Sequence, residues 1–149
     1  MARGFRFRLQ RILELREHEL RDRRIALARA LQEEREAEDR LASARAERAA
    51  RDQALCTVDD RPLSPLDLQA RHAATEAHDQ RERSLRSAVD TSRERTCAAR
   101  EAAVEAHRQV RIMESLREKA RERWLGEIEA QDRRIQDDIQ SRYGEDPLA

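Results

Sequence analysis

A leucine recurs every seventh residue through the first third of the chain, at Leu13, Leu20, Leu27, Leu41 and Leu55, with Glu34 and Arg48 taking the two interrupted places. The companion seam position, four residues before each heptad place from Leu13 to Arg48, holds Leu9, then Arg16 and Arg23, then Ala30, Ala37 and Ala44. Such a stripe is mostly apolar but narrow, and a narrow stripe buries itself against one partner helix rather than inside a globular core.

Composition limits the alternatives. Of 149 residues, 42% are charged and 3% aromatic, with three glycines and three prolines, so apolar side chains are too few to wrap an ordinary compact core. Disorder shares that profile. The balance of 31 basic against 31 acidic residues and the sustained heptad phase favour long helices instead.

The chain divides once, at Val58-Asp-Asp-Arg-Pro62-Leu-Ser-Pro65. Proline inside a helix removes a hydrogen bond and clashes with the preceding turn, so the first helix is predicted over about 5–57 and the loop over about 58–65. Ser64 as N-cap, Pro65 at the first helical position and Asp67 three residues after the cap start a second helix over about 66–143. In that helix the seam resumes at Leu85, Val89, Ser92, Thr96, Ala99, Ala103, Ala106, Val110, Met113, Arg117, Ala120 and Trp124. Between the loop and Leu85 the reading is a slipped phase, with Leu66, Ala70, Ala73 and Ala77 on the inner face. Two matched seams joined by a short proline-containing loop predict an all-α fold, an intramolecular antiparallel coiled-coil hairpin occupying 1–149 as one domain. The arginines at seam positions, Arg16, Arg23, Arg48 and Arg117, are expected to snorkel along the seam.

Helix length adds a constraint. At 1.5 Å per residue the first helix spans about 80 Å and the second about 115 Å. If pairing is symmetric about residue 61, Phe5 lies near residue 118, and the longer second helix overhangs from about Trp124 without an internal partner. Yet Trp124, Ile128, Ile135 and Ile139 share about 60° of arc at 100° per residue. An apolar face of that kind implies a partner elsewhere.

The two ends also differ in charge. Residues 1–29 carry nine arginines against four acids, whereas 127–149 carry seven acids against three arginines. Phe5, Phe7, Leu9 and Ile12 alternate with or adjoin Arg6, Arg8 and Arg11, and exposed aromatics beside arginine are typical interface anchors. The partner interface is therefore placed on Phe5, Arg6, Phe7, Arg8, Leu9, Arg11, Ile12, Trp124, Ile128, Ile135 and Ile139. The principal seam residues are Leu13, Leu20, Leu27, Leu41, Leu55, Leu85, Val89, Val110 and Met113.

No segment carries the roughly 20 apolar residues of a membrane span, and the basic start has no apolar run of a signal peptide, so a cytoplasmic protein is expected. Cys56 and Cys97 would lie too far apart in a folded-back hairpin for a disulfide. His72 with Glu76 is the one helical pair of possible metal-ligand type, and two ligands are too few. Gly4, Gly126 and Gly144 stand alone, so no phosphate loop forms, and no nucleophile has a base at a motif spacing. Neither catalysis nor a cofactor or metal is expected. A basic zipper on DNA is disfavoured, because barely two turns precede Leu13 where about four are needed and Phe5, Phe7 and Leu9 interrupt them. A generic coiled-coil scaffold is the alternative in the structural class.

Two stretches carry a resemblance. Phe5-Arg-Phe-Arg-Leu-Gln-Arg-Ile-Leu-Glu-Leu-Arg-Glu17 resembles the opening of flagellar FliJ proteins. Met113-Glu-Ser-Leu-Arg-Glu-Lys-Ala-Arg-Glu-Arg-Trp124, with Glu127, Glu129, Asp132, Asp137 and Asp138 following, looks like their C-terminal pattern. The resemblance implies an antiparallel coiled coil similar to a rotary-ATPase stalk, acting in flagellar type III protein export. It implies docking of the end with both termini into the hexameric export ATPase, promotion of ring assembly, contact with the membrane export-gate protein, and a role with export chaperones or substrates. The implied location is the cytoplasm, peripheral to the inner-membrane export apparatus. Injectisome stalk proteins share this architecture and are the near alternative.

Overall fold

A computed structural model describes residues 4–56 and 64–144. Among them there are two helices and no strand, α1 at Gln10–Cys56 and α2 at Pro65–Gly144. The two pack against each other antiparallel, in an all-α hairpin whose second helix, at 80 residues against 47, is the longer. The expected loop lies outside the described residues except for Ser64 and Pro65. Among the described residues packing falls into two units, one built from residues 4–21 with 105–144, the other lying within Asp22–Val104.

The N-terminus of α2 follows from three side chains. The Ser64 hydroxyl accepts a hydrogen bond from the Asp67 amide at 3.2 Å, while the Asp67 carboxylate accepts from the Ser64 amide at 3.0 Å and from its hydroxyl at 2.7 Å. This reciprocal box satisfies donors that the first helical turn leaves unpaired, with proline at a position where no donor is needed. The hydrogen bonds from Ser64 hold the Asp67 carboxyl below its ordinary value of 3.8.

In the unit of Asp22–Val104 the heptad places Ala37, Leu41, Ala44, Val89, Thr96 and Ala103 in the interior, with Leu27, Ala30, Leu85, Ser92 and Ala99 half-buried beside them. Small side chains let the backbones approach, and buried Thr96 donates its hydroxyl to the Ala30 carbonyl at 3.2 Å across the seam, so its polarity is satisfied. Leu55 is half-buried near the end of α1. Cross-helix ion pairs show the register here: Arg45 meets Glu82 at 3.0 Å, Glu47 meets Arg81 at 2.9 Å and Arg48 meets Asp79 at 2.6 Å. These pairs centre the unit's pairing at residues 63–64, not at 61.

Near the start of α2 the inner face differs from the sequence reading. Leu66, Ala70, Ala73 and Ala77 are exposed, Leu66 by 74%. Arg71, Ala74, His78, Asp79 and Glu82 take the half-buried positions instead. The heptad thus runs back from Val89 and Leu85 without a slip, and polar residues occupy it. Apolarity misled there because charge pairing, not an apolar stripe, joins the helices at that level.

In the other unit, Leu13, Leu20 and Val110 form the core, with Phe7, Ala106 and Met113 packed against it. Leu13 is the most enclosed side chain among the described residues, at 1% exposed. Helix α1 begins five residues later than the periodicity predicts, and residues 4–9 form a nonhelical arm. The reason is the side-chain order: Phe5 and Phe7 turn inward while Arg6 and Arg8 face water, an alternation of period two that a helix cannot satisfy. Of the seam arginines, Arg16 pairs with Glu19 on its own helix at 2.7 Å, and Arg23 and Arg117 are exposed.

Candidate functional site

The arm is held at both ends of its short run. The Gln10 amide donates to the Phe7 carbonyl at 3.2 Å, and Ile12 and Leu13 donate to the Leu9 carbonyl at 3.0 Å each, which closes the chain into α1. Phe7 plugs into the Leu13–Leu20–Val110 core. Phe5 reaches Trp124 of α2, their ring centroids 5.8 Å apart and their planes inclined at 53°. That tilted geometry is one that aromatic quadrupoles favour. Trp124 is therefore partnered within the chain and half-buried, contrary to the reading that left it unpaired. The shift follows from register: the partner of Phe5 is residue 124, not one near 118, and the extended arm reaches where a helix would not.

Two shallow grooves flank this contact. One is lined by Phe5, Phe7 and Trp124 together with Arg6, Arg8, Arg11, Arg117 and Arg121, tempered by Glu14 and Glu118. The other is lined by Leu9, Leu116, Ala120, Arg123 and Glu127 besides the same aromatics, Arg6 and Arg8. Leu9, Ile12 and Leu116 are exposed beside them. The structure thus assembles Phe5, Arg6, Phe7, Arg8, Leu9, Arg11 and Trp124 from the predicted interface, with Ile12 adjoining in sequence. Ile128 is half-buried, while Ile135 and Ile139, at 56% and 49% exposed, lie farther along α2 and line neither groove. Sequence reading missed Leu116, Arg121 and Arg123, whose only signal was helical spacing around Trp124, and placed Arg117 and Ala120 in the seam without assigning them to the interface.

Charge is arranged differently in the two units. In Asp22–Val104, carboxylates meet four arginines across the seam: Arg93 reaches Glu38 at 2.7 Å and Glu34 at 3.9 Å, beside the pairs of Arg45, Arg48 and Arg81. The hydrogen bond with Glu38 raises the guanidinium pKa of Arg93, and that with Asp79 raises the pKa of Arg48. The hydrogen bond from Arg45 lowers the carboxyl pKa of Glu82. Around the arm, by contrast, Arg6, Arg8, Arg11, Arg117 and Arg121 make no ion pair with any described residue. No acid stands in the first turn of α1, so the positive end of its dipole adds to the same field.

The arrangement offers an apolar, aromatic platform rimmed by guanidinium groups free to bond, suited to binding a partner surface. Among the described residues no cluster of ligand type could hold a metal, and His72 and Glu76 approach to 3.5 Å as an isolated surface pair. No described helix is long and apolar enough to cross a membrane. The Cys97 thiol is free and exposed.

No curated protein and no solved structure matches the chain. The family model described as flagellar FliJ protein matches residues 5–144, from the first aromatic of the arm to the last residue of α2. With that match over nearly the whole length, and with the hairpin that carries it, the chain belongs to the flagellar FliJ protein family.

Proposed function

We propose that this protein is the stalk-like coiled coil of the flagellar export apparatus, docking through the N-terminal arm and the distal part of α2 into the ring of the export ATPase. Membership of the family supplies the export-related role. The observation that carries the docking assignment is the cluster of five arginines without ion-pair partners around the Phe5–Trp124 contact. Guanidinium groups left unpaired beside half-buried aromatics are what a protein interface uses, because bidentate bonds to carboxylates form there once water leaves. Beyond the grooves, residues 131–142 of α2 are exposed throughout, with Ile135 and Ile139 among them. In this reading that segment is covered within the ring, the docking promotes ring assembly, and the remainder of the hairpin links to the membrane export gate and to export chaperones or substrates.

The test is binding and stimulation of the purified export ATPase. Arg6→Gln with Arg8→Gln and Arg11→Gln should slow association while helicity by circular dichroism is retained. Ile128→Ser with Ile135→Ser should abolish stimulation, and Ala99→Ser should leave it nearly intact. Full stimulation by the isoleucine double variant, together with unchanged association of the arginine triple variant, would refute the docking assignment.

A further inference from the structure

The apolar seam in Asp22–Val104 is nearly indifferent to sliding. Its interior is made of alanine, leucine, valine, serine and threonine at heptad spacing, so the seven-residue shift that brings Ser92 to the place of Leu85 returns a small or aliphatic side chain at every interior place of α2, while the opposite shift does so from Ser92 to Ala103 and brings His78 to the place of Leu85 and Glu82 to that of Val89. Buried Thr96 needs only a backbone carbonyl, which α1 presents at every turn. The outer charge pairs are equally permissive. Glu34 and Glu38 meet Arg93, and Arg86 and Arg100 stand one heptad to either side of it, so these acids find an arginine in all three staggers.

The cluster nearer the start of α2 behaves differently. A one-heptad shift would put Val89 or Thr75 opposite Arg45 in place of Glu82, and Ala88 or Ala74 opposite Glu47 in place of Arg81. Arg48 would meet Arg86 or His72 in place of Asp79. The acids Glu76 and Asp90 offer no rescue, because they occupy the heptad place of Arg83, which faces outward and is exposed. Arg48 sits half-buried at a seam position, so either shift would take away both cross-helix carboxylates, Asp79 and Glu82, and leave its guanidinium only Asp52 of its own helix at 3.9 Å.

We infer that Arg45, Glu47 and Arg48 with Asp79, Arg81 and Glu82 form the register lock of the hairpin, selecting one stagger among the heptad-related staggers that the rest of the seam accepts. Polar residues at seam positions specify register in coiled coils at some cost in stability, and here the cost is borne where the leucine series is interrupted. The lock also accounts for pairing centred at residues 63–64. A stagger one heptad shorter centres pairing near residue 60, close to the centre that the proline positions suggest, and in it Arg48 faces His72. The selected stagger instead leaves residues 64–70 exposed at the start of α2.

Disulfide trapping reads the stagger directly. In the full chain with Cys56→Ser and Cys97→Ser, Leu41→Cys is combined in turn with Leu85→Cys for the observed register, or with His78→Cys or Ser92→Cys for the two shifted ones. Oxidation joins only cysteines whose backbones come within about 7 Å. With the lock intact, only the Leu85→Cys pair should close. With Arg45→Gln, Glu47→Gln and Arg48→Gln, closure of a shifted pair should rise about tenfold, a population change within the reach of three such ion pairs together. Inverting all six charges should restore the single closure. Arg48→Leu, which adds apolar contact and keeps the chain folded, should also admit a shifted pair. Closure of the Leu85→Cys pair alone in both the neutral and the Arg48→Leu variants, or failure of the inverted lock to restore it, would overturn the inference.

Discussion

Phe5 and Trp124 lie 119 positions apart in the sequence and bring their ring centroids to 5.8 Å, the first on a nonhelical arm and the second on α2. The contact closes the platform on which the unpaired arginines stand, and it ties the arm to the helix.

Removal of one ring should therefore be visible in the other. Trp124 is the only tryptophan, so its emission reports this contact without labelling. Phe5→Ala should shift the emission to the red and weaken the arm by about 0.5–1.5 kcal/mol beyond the loss of buried area. Arg6→Ala, whose side chain faces water, should leave the spectrum unchanged. An unaltered spectrum in Phe5→Ala would mean that the rings do not meet in solution.

The seam makes a sharper demand on stability. Leu13 is 1% exposed, and truncation to alanine should lower the free energy of urea unfolding by about 2–5 kcal/mol, the transfer and cavity cost of a buried leucine. Leu15, two residues on and exposed, should tolerate the same change within about 0.5 kcal/mol. Equal costs at the two positions would contradict the register of α1.

Acid should loosen the hairpin through two carboxylates. Hydrogen bonds from Ser64 and from Arg45 hold Asp67 and Glu82 below their ordinary values of 3.8 and 4.5. A carboxyl depressed in the folded state contributes stability that is present above its unfolded pKa and is lost as pH falls through its folded one. Thermal midpoints should accordingly be flat above about pH 5 and decline below about pH 4.5, toward and past the depressed values. Asp67→Asn with Glu82→Gln should flatten that decline. A decline of the same steepness in the double variant would assign the acid sensitivity to other groups.

Salt should separate docking from folding. The arginines around the arm are exposed, so association with the export ATPase should slow as ionic strength rises past about 0.1 M, where screening acts over about 10 Å. Helicity should change little over the same range, since from Ala30 to Leu41 and from Leu13 to Leu20 the seam holds by apolar contact. Association independent of salt would remove charge from the docking step.

Much of this architecture is legible in the residues alone. The leucine heptad of α1, the Val89-to-Val110 stripe of α2 and the Ser64-Pro65-Asp67 start signal each act over a few turns, and local periodicity and capping chemistry determine helix type, helix ends and the buried stripe. Leu13, Leu20, Leu41, Val89 and Val110 are all interior for that reason. The basic, aromatic character of the N-terminal stretch is equally local.

Only the tertiary structure decided how the two stripes were staggered and what became of the arm. A heptad repeat is the same after every seven residues, so periodicity cannot choose between staggers related by that shift, and the cross-helix pairs of Arg45, Glu47 and Arg48 do. Phe5-Arg-Phe-Arg8 carried an alternation of period two in plain view, yet its inward side chains acquired meaning only once Trp124 and the Leu13–Leu20–Val110 core stood opposite them. The polar inner face near the start of α2 was hidden for the same reason: a half-buried Asp79 or Glu82 is stable only beside the arginine that the other helix supplies. Periodicity is a property of one helix, whereas register is a property of two.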